Sequence, residues 1–465
     1  MKHCLKSLIT SIIFLPVIFI SCQKESKELT AEENRTSSVH SNQPSEVGFP
    51  GNDMVMYWND KTALVLGSPR TQPVRARLFA IVEIAVHDAL NNIKPKYQRY
   101  AMLNEREQFA SPDAAVASAA YWAIKGLNVQ GSFPIDTWYN ESLLTVPDGE
   151  SKELGKTLGK HSAEAIIANR ANDGFAQANV NSVIPANGIN PGEYRSTLMY
   201  VNGNLTQVPF RNIPNWGTVM KPYVIETNAQ FRPGGPYAVN SEQYTVDFNE
   251  VKTKGARVGG NRTEEEEKIG KFWSENRPSV IWNQVVRKAI DNKKLDAWKT
   301  ARLFALMHVC MAESINSQLN ASYHYYSWRP ETAVRLADTD GNNNTAGDAN
   351  WLPALNEVPN VFPTPPVPGY PNGFAAYAGT SAEILRLFFG SDETSIDITT
   401  TSSNSAVTEP KPSFHFSSFS QAARDNSLSM IYNGWDFRKS VLEGEEMGRQ
   451  IANYVFNHSF KESDE

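Results

Sequence analysis

Apolar residues recur at helical spacing along most of the chain. Between Pro73 and Asn91, the residues Val74, Phe79, Val82, Val86, Ala89 and Leu90 fall on one side, which predicts a core helix. Ser111-Pro112-Asp113 opens a second helix running to about Leu127, with proline placed where a missing N–H costs little. Leu154 to Asn169 has the same period. Further helices are expected at Pro278 to Ile290, Leu295 to about Asn320, Ala375 to Phe389, Phe419 to Tyr432 and Val441 to Asn457. Thr263 and Glu266 have the spacing of a capping box, and Glu264 to Glu267 put negative charge into a first helical turn, where the backbone dipole favours it. That acidic run therefore needs no ligand. Gly174 to Asn261 is instead dense in Pro, Gly and Asn, including Ile184-Pro185, Asn190-Pro191 and Arg232-Pro233-Gly234-Gly235, and reads as a long irregular insertion. Strand signals are short and scattered, so the expected class is all-α, a helical bundle with long irregular insertions.

The N-terminal pattern changes the picture of where the protein works. Lys2 and Lys6 precede an apolar run from Leu8 to Ile20, interrupted by Pro16 and too short to span a bilayer, and Ser21-Cys22 follows. This is the pattern of a lipoprotein signal peptide over residues 1–22, with Cys22 as the acylated residue and the cell envelope as the expected location. Residues 23–48 hold almost no large apolar side chain and read as a disordered tether. The remainder, 49–465, shows no second compositional break and is taken as one helical domain. Of three cysteines, only Cys310 lies in that domain, so no disulfide framework is expected there. A net charge of −6 provides no basic stripe, which argues against nucleic acid as a partner.

Three segments carry a family resemblance: Ser322-Tyr323-His324-Tyr325-Tyr326-Ser327-Trp328-Arg329-Pro330, Tyr370-Pro371-Asn372-Gly373-Phe374, and Ser429-Met430-Ile431-Tyr432-Asn433-Gly434-Trp435-Asp436-Phe437. In order and interval they resemble the motifs of the vanadium-dependent haloperoxidase and type 2 phosphatidic acid phosphatase superfamily, on its haloperoxidase side. The resemblance implies that superfamily's helical bundle with an anion pocket inside it. Carried over position by position, it places Ser322 at the family's lysine, Arg329 at its first arginine and Asn372 at its serine. Gly373 matches its glycine, while Phe374 stands at the acid–base histidine, Met430 at the second arginine and Asp436 at the ligand or nucleophile histidine.

An oxyanion site needs several cationic donors and histidines. With each lost charge-assisted hydrogen bond worth roughly 1.5–3 kcal/mol, losing about four weakens oxyanion binding by at least ~6 kcal/mol, on the order of ten-thousand-fold. Neither bound vanadate nor any metal is therefore expected, and no other cofactor is implied. Trp328, Phe374, Met430, Tyr432 and Trp435 make the expected pocket aromatic and apolar, with Ser322, Arg329, Asn372, Gly373 and Asp436 as its polar or small minority. Two readings follow. One is a non-redox acid–base enzyme acting on a hydrophobic small molecule, an isoprenoid for example, with Asp436 moving a proton and Arg329 or Asn372 orienting it. The other is a non-catalytic lipoprotein that binds a ligand or partner, with Asp436 and Arg329 as an ion pair closing a relict cavity.

Four other signals weigh less. His87-Asp88 reads as a hydrogen-bonded pair on a core helix and not as a metal site. Asp338-Thr339-Asp340-Gly341-Asn342 misplaces the glycine of an EF-hand, and its twelfth position is Ala349, so it reads as a self-bonded loop. Arg438 and Lys439 could reach back to supply missing positive charge but read as surface residues, and His324, close to the first motif without a carried-over role, is a candidate to line the pocket.

Overall fold

The computed structural model describes residues 51–67, 70–180, 183–201, 204–209, 212–275, 278–354, 364–400 and 413–463. The leader, the tether and Cys22 lie outside the described residues. The described chain forms helices α1 (Asp53–Gly67), α2 (Gln72–Ile93), α3 (Pro112–Gly126), α4 (Ile135–Leu144), α5 (Glu150–Asn169), the short α6 (Phe175–Val180) and α7 (Trp216–Val219), α8 (Glu242–Lys254), α9 (Glu264–Glu275) and α10 (Pro278–Lys293). There follow α11 (Ala297–Tyr325), α12 (Pro330–Leu336), α13 (Gly373–Phe389), α14 (Phe419–Tyr432) and α15 (Arg438–His458). Two antiparallel hairpins, β1 (Leu198–Val201) with β2 (Asn204–Gln207) and β3 (Glu393–Thr399) with β4 (Ser413–Ser418), are the sheets among the described residues.

Local chemistry sets several helix ends. The Ser111 hydroxyl accepts the Ala114 N–H at 3.3 Å, and Asp296 accepts the Lys299 N–H at 2.8 Å. At α9 the capping box is reciprocal: Thr263 N–H donates to Glu266 Oε2 at 2.9 Å, and Glu266 N–H donates to Thr263 Oγ1 at 3.2 Å. The acidic run thus serves the helix, as its spacing predicts.

The 29-residue α11 is buried around most of its circumference, as a helix at the centre of two packed layers must be. On one side it meets α2, which packs with α3 and α5; on the other it meets α13 and α15, which pack with α14. Glycines permit the two tightest crossings. A Cβ on Gly159 of α5 would lie 2.2 Å from the Ala115 carbonyl of α3, and one on Gly448 of α15 would lie 2.2 Å from the Ala376 carbonyl of α13.

Within the bundle His87 Nδ1 lies 3.0 Å from Asp88 Oδ1, and Asp88 also accepts the backbone N–H groups of Tyr100, Ala101 and Met102 at 2.8, 2.6 and 3.1 Å. The pair is structural.

The insertion expected to be irregular is largely loop but also contains β1, β2 and the 13-residue α8. Tyr244, Phe248 and Val251 of α8 join Trp328, Val334, Trp351, Met430, Trp435, Phe437 and Val441 in a second apolar cluster, separate from the main core. This cluster carries the site.

Candidate functional site

Three chain segments meet at one buried point. Arg329 is the residue before α12, Asn372 caps α13, and Asp436 precedes α15. The Asn372 side-chain oxygen accepts the Ala375 N–H at 2.8 Å, which starts α13, and this leaves its amide nitrogen free to donate to Asp436 Oδ2 at 2.9 Å. Gly444 lets the backbones close here, because a Cβ there would lie 2.3 Å from the Asn372 carbonyl. Arg329 donates from Nη1 to the same Asp436 Oδ2 at 3.2 Å and to the Trp435 carbonyl at 2.9 Å, and from Nε to the Val367 carbonyl at 2.9 Å. The Phe437 N–H donates to Asp436 Oδ1 at 3.1 Å.

Burial acts on both charges. It pulls the Arg329 guanidinium below its usual range, against the attraction of Asp436. It pushes the Asp436 carboxyl up to about 6, opposed by Arg329 and by hydrogen bonds from Asn372 and Ser440. A second buried acid lies near: Glu331 accepts the Leu198 N–H at 2.8 Å, and burial raises its carboxyl to about 6. Arg335 and Arg329 both oppose that rise, so the site holds its two carboxyls between two guanidiniums.

The remaining sequence candidates divide. Trp328 lines a cavity of about 50 Å³ together with Asp436. Ser322 does not line the cavity, but its hydroxyl donates at 2.9 Å to the Pro368 carbonyl, which Arg329 Nη2 also approaches at 3.5 Å. Gly373 abuts Gln318, and Met430 is wholly buried in the second apolar cluster. Phe374 and Trp435 pack edge to face at 6.1 Å, away from the cavity lining. Tyr432 sits under the Lys254 ammonium, 5.8 Å from its ring centre. His324 is exposed against the edge of Tyr325 and does not line the cavity. Arg438 is tied to Glu250 at 2.7 Å and reaches the site only through its charge on Asp247. Lys439, read as a surface residue, is half-buried on the cavity wall, with Nζ 2.7 Å from Glu443 Oε1 and 4.7 Å from the Tyr237 ring centre.

Sequence reasoning missed the outer wall, made by Tyr237, Val239, Tyr244 and Asp247. All four come from the insertion, far from the motifs. The available signal was the i, i+3, i+4 run Tyr244, Asp247, Phe248, which sets a ring and a carboxylate on one face of a helix. The 338–342 loop is self-bonded as read: Asp340 accepts the Asn342 N–H at 2.7 Å and the Thr345 hydroxyl at 2.8 Å, and Asp338 accepts the Gly347 N–H at 2.8 Å.

Residues 302–464 match the family model described as the VCPO second helical-bundle domain. Vanadium chloroperoxidase of Curvularia inaequalis is 23% identical over 411 residues, an overlap covering 72% of this chain and 65% of that relative. The chain thus spans about 65% of the length of the curated relative it matches. The crystal structure titled as the first bacterial vanadium-dependent iodoperoxidase superposes with a TM-score of 0.72 at 22% identity, covering 91% of this chain and all (100%) of that one. A holo-type bacterial vanadium-dependent chloroperoxidase gives 0.63 at 15% identity, over 89% of this chain and 98% of that one. These likenesses extend to the fold.

Proposed function

From the membership of this chain in the vanadium haloperoxidase-like superfamily, we propose that the protein retains the superfamily's helical fold but has replaced its bound oxyanion with a carboxylate of its own. One observation carries the reading: Asp436 Oδ2 takes both the Arg329 and the Asn372 donors at 3.2 and 2.9 Å. A vanadate or phosphate would have to displace a tethered carboxylate and settle beside Glu331. The positions assigned to the family's other two cations and its two histidines hold Ser322, Met430, Phe374 and Asp436, so the residues present do not fit vanadate, and no step is routed through it. The function supported best is binding: an envelope lipoprotein, anchored through Cys22, that holds a small, largely apolar ligand in the aromatic cavity beside the closed ion pair.

Calorimetry of the full chain with vanadate and with phosphate, alongside a peroxide-dependent halide-oxidation assay, tests this. We expect no binding below millimolar concentration and no turnover. Micromolar binding with turnover would overturn it.

A second reading has its own support, since Asp436 is on the cavity wall with its carboxyl raised to about 6. In that reading Asp436 is a general acid toward a hydrophobic substrate. Turnover lost in Asp436→Asn, with substrate binding kept, would favour it over binding alone.

A further inference from the structure

The cavity beside the ion pair has walls of a definite chemistry. Tyr237, Tyr244, Trp328, Tyr370 and Phe437 present aromatic surface to it. Two carboxylates, Asp247 and Asp436, and one ammonium, Lys439, also line it. Each of these charges except one is answered locally. Asp436 is held by Arg329 and Lys439 by Glu443, while Asp247 forms no ion pair among the described residues. Its Oδ2 takes only the backbone N–H of Lys439 at 2.8 Å, although it is 7% exposed. Arg438, which approaches Asp247 from the start of α15, is engaged by Glu250. Burial raises the Asp247 carboxyl, opposed by the Lys439 N–H and by the Arg438 and Lys439 charges, and the cavity carries it as one carboxylate without an ion-pair partner among aromatic faces.

A second observation concerns Tyr244, 5% exposed and on the cavity wall, whose hydroxyl has no hydrogen-bond partner in good geometry among the described residues. The indole N–H of Trp328 approaches it as a loose donor, and the Asp340 carboxylate acts on it from outside the cavity lining. A buried hydroxyl without a partner is costly, and a ligand N–H could use its free lone pair. The wall's affinity for cations is already displayed, since the Lys439 ammonium sits 4.7 Å from the centre of the Tyr237 ring. Size sets the remaining limit. About 50 Å³, at roughly 10–15 Å³ per water, holds about four non-hydrogen atoms.

We infer that this cavity is a subsite for the small ammonium head of an organic amine, held by the Asp247 carboxylate, the Tyr244 hydroxyl and the surrounding aromatic faces. The inference rests on the binding reading above and names its ligand class. The amine's remainder extends from the cavity toward solvent, and Lys439 is the like charge that sets a ceiling on affinity.

The test is titration of the full chain with ethylammonium, 1-propanol and propionate, three probes of similar size and different charge, read by calorimetry and by tryptophan fluorescence. Ethylammonium should bind saturably and at least ten-fold tighter than 1-propanol, with propionate weakest. Asp247→Asn, which keeps the acceptor for the Lys439 N–H, should weaken ethylammonium at least ten-fold and leave 1-propanol unchanged. Tyr244→Phe should weaken it a few-fold, and Lys439→Met should tighten it a few-fold. The opposed signs of the Asp247 and Lys439 variants separate a charge effect from a general loss of structure. Equal affinity for ethylammonium and 1-propanol, preference for propionate, or an unchanged constant in Asp247→Asn would each overturn the inference. Vanadate binding, measured separately, tests the parent reading, so the two can fail independently.

Discussion

Replacing Asp436 by asparagine separates two opposing energies at one atom. The substitution keeps the shape and the Asn372 contact but removes the negative charge facing Arg329. Breaking a buried pair by deleting one partner costs about 3–5 kcal/mol where the other charge is left bare. Arg329 is not left bare, because its Nε and Nη1 still donate to the Val367 and Trp435 carbonyls at 2.9 Å each. The constant penalty, set at low pH where the carboxyl is protonated and no charge is lost, should therefore fall below that range, at about 1 kcal/mol.

The pH-dependent part has a fixed sign. The folded state raises the Asp436 carboxyl from 3.8 to about 6, so between those values it holds a proton that the unfolded chain has released. That proton-linked stability is complete below pH ~4 and is lost as pH rises through ~6. At about 1.4 kcal/mol per unit the loss approaches ~3 kcal/mol, and asparagine does not suffer it. Urea unfolding of both proteins at intervals from pH 4 to pH 7.5 should show the wild-type advantage shrinking by about 2–3 kcal/mol as pH rises. An advantage that is constant, or that widens toward neutral pH, would refute the reasoning. It would mean that Arg329 outweighs burial and holds the carboxyl at or below its ordinary value.

Other substitutions probe the frame that holds the site. Glu313, buried in α11, accepts the N–H groups of Tyr223, Val224 and Ile225 at 2.7, 2.6 and 3.1 Å, and burial raises its carboxyl to about 7. Glu313→Gln, which keeps the acceptor, should cost about 1 kcal/mol, whereas Glu313→Ala should cost about 3 kcal/mol or more by chemical denaturation. Gly448→Ala drives a Cβ to 2.2 Å from the Ala376 carbonyl, so α13 and α15 must part, and a loss of about 3 kcal/mol is expected in the same assay. Thr263→Ala removes one arm of the α9 capping box and should lower stability by about 1 kcal/mol without altering ligand titrations. Cys22→Ser should abolish the wild-type chain's incorporation of labelled fatty acid and release the protein from the membrane fraction, while a wild-type chain that takes up no label would remove the basis for an envelope location.

Helices with a clean apolar stripe were legible from the sequence. The span Phe419–Tyr432 is that of α14, α2 and α3 depart from their expected bounds by one or two residues at each end, and α13 starts two residues early and ends at Phe389 as expected. The helices that escaped notice have interrupted stripes. On α1 the buried face includes Asn59 and Thr62 among Val55, Trp58, Val65 and Leu66, and Asn59 is there to bond Glu83 and Asn283 at 2.9 and 3.1 Å. Such a polar residue has a reason only once its partners on α2 and α10 are in place. The flanking Pro- and Gly-rich stretches concealed α8 in the same way, although Tyr244, Phe248 and Val251 have helical spacing. The inner half of the site could be read because Arg329, Asn372 and Asp436 sit in ordered motifs. The outer half could not, since Tyr237, Tyr244 and Asp247 reach the cavity only through the packing of the insertion.

The two halves differ in charge as well as in legibility. Around Arg329 the positive charge is met by Asp436, with Glu331 held between Arg329 and Arg335, so on the proposed reading the protein's own carboxylate takes the place of an anion in the inner half. Around Asp247 the lysine and arginine nearby are already spent on Glu443 and Glu250, so the outer half retains one negative charge inside an aromatic wall. On the reading proposed above, the carboxylates at 436 and 247 leave a pocket whose unmet demand is for a cation and not for the oxyanion that the family resemblance implies. Restoring the older demand would take more than a histidine at position 436, since Asp247 and Glu331 would still repel the incoming anion. On this account, Asp436→His alone should fail to confer vanadate binding measurable by calorimetry. The triple change Asp436→His, Met430→Arg and Asp247→Asn should bind it at least a hundred-fold more tightly than the single variant. Micromolar vanadate binding by the single variant would show that position 436 alone closes the site and that the surrounding charge is incidental.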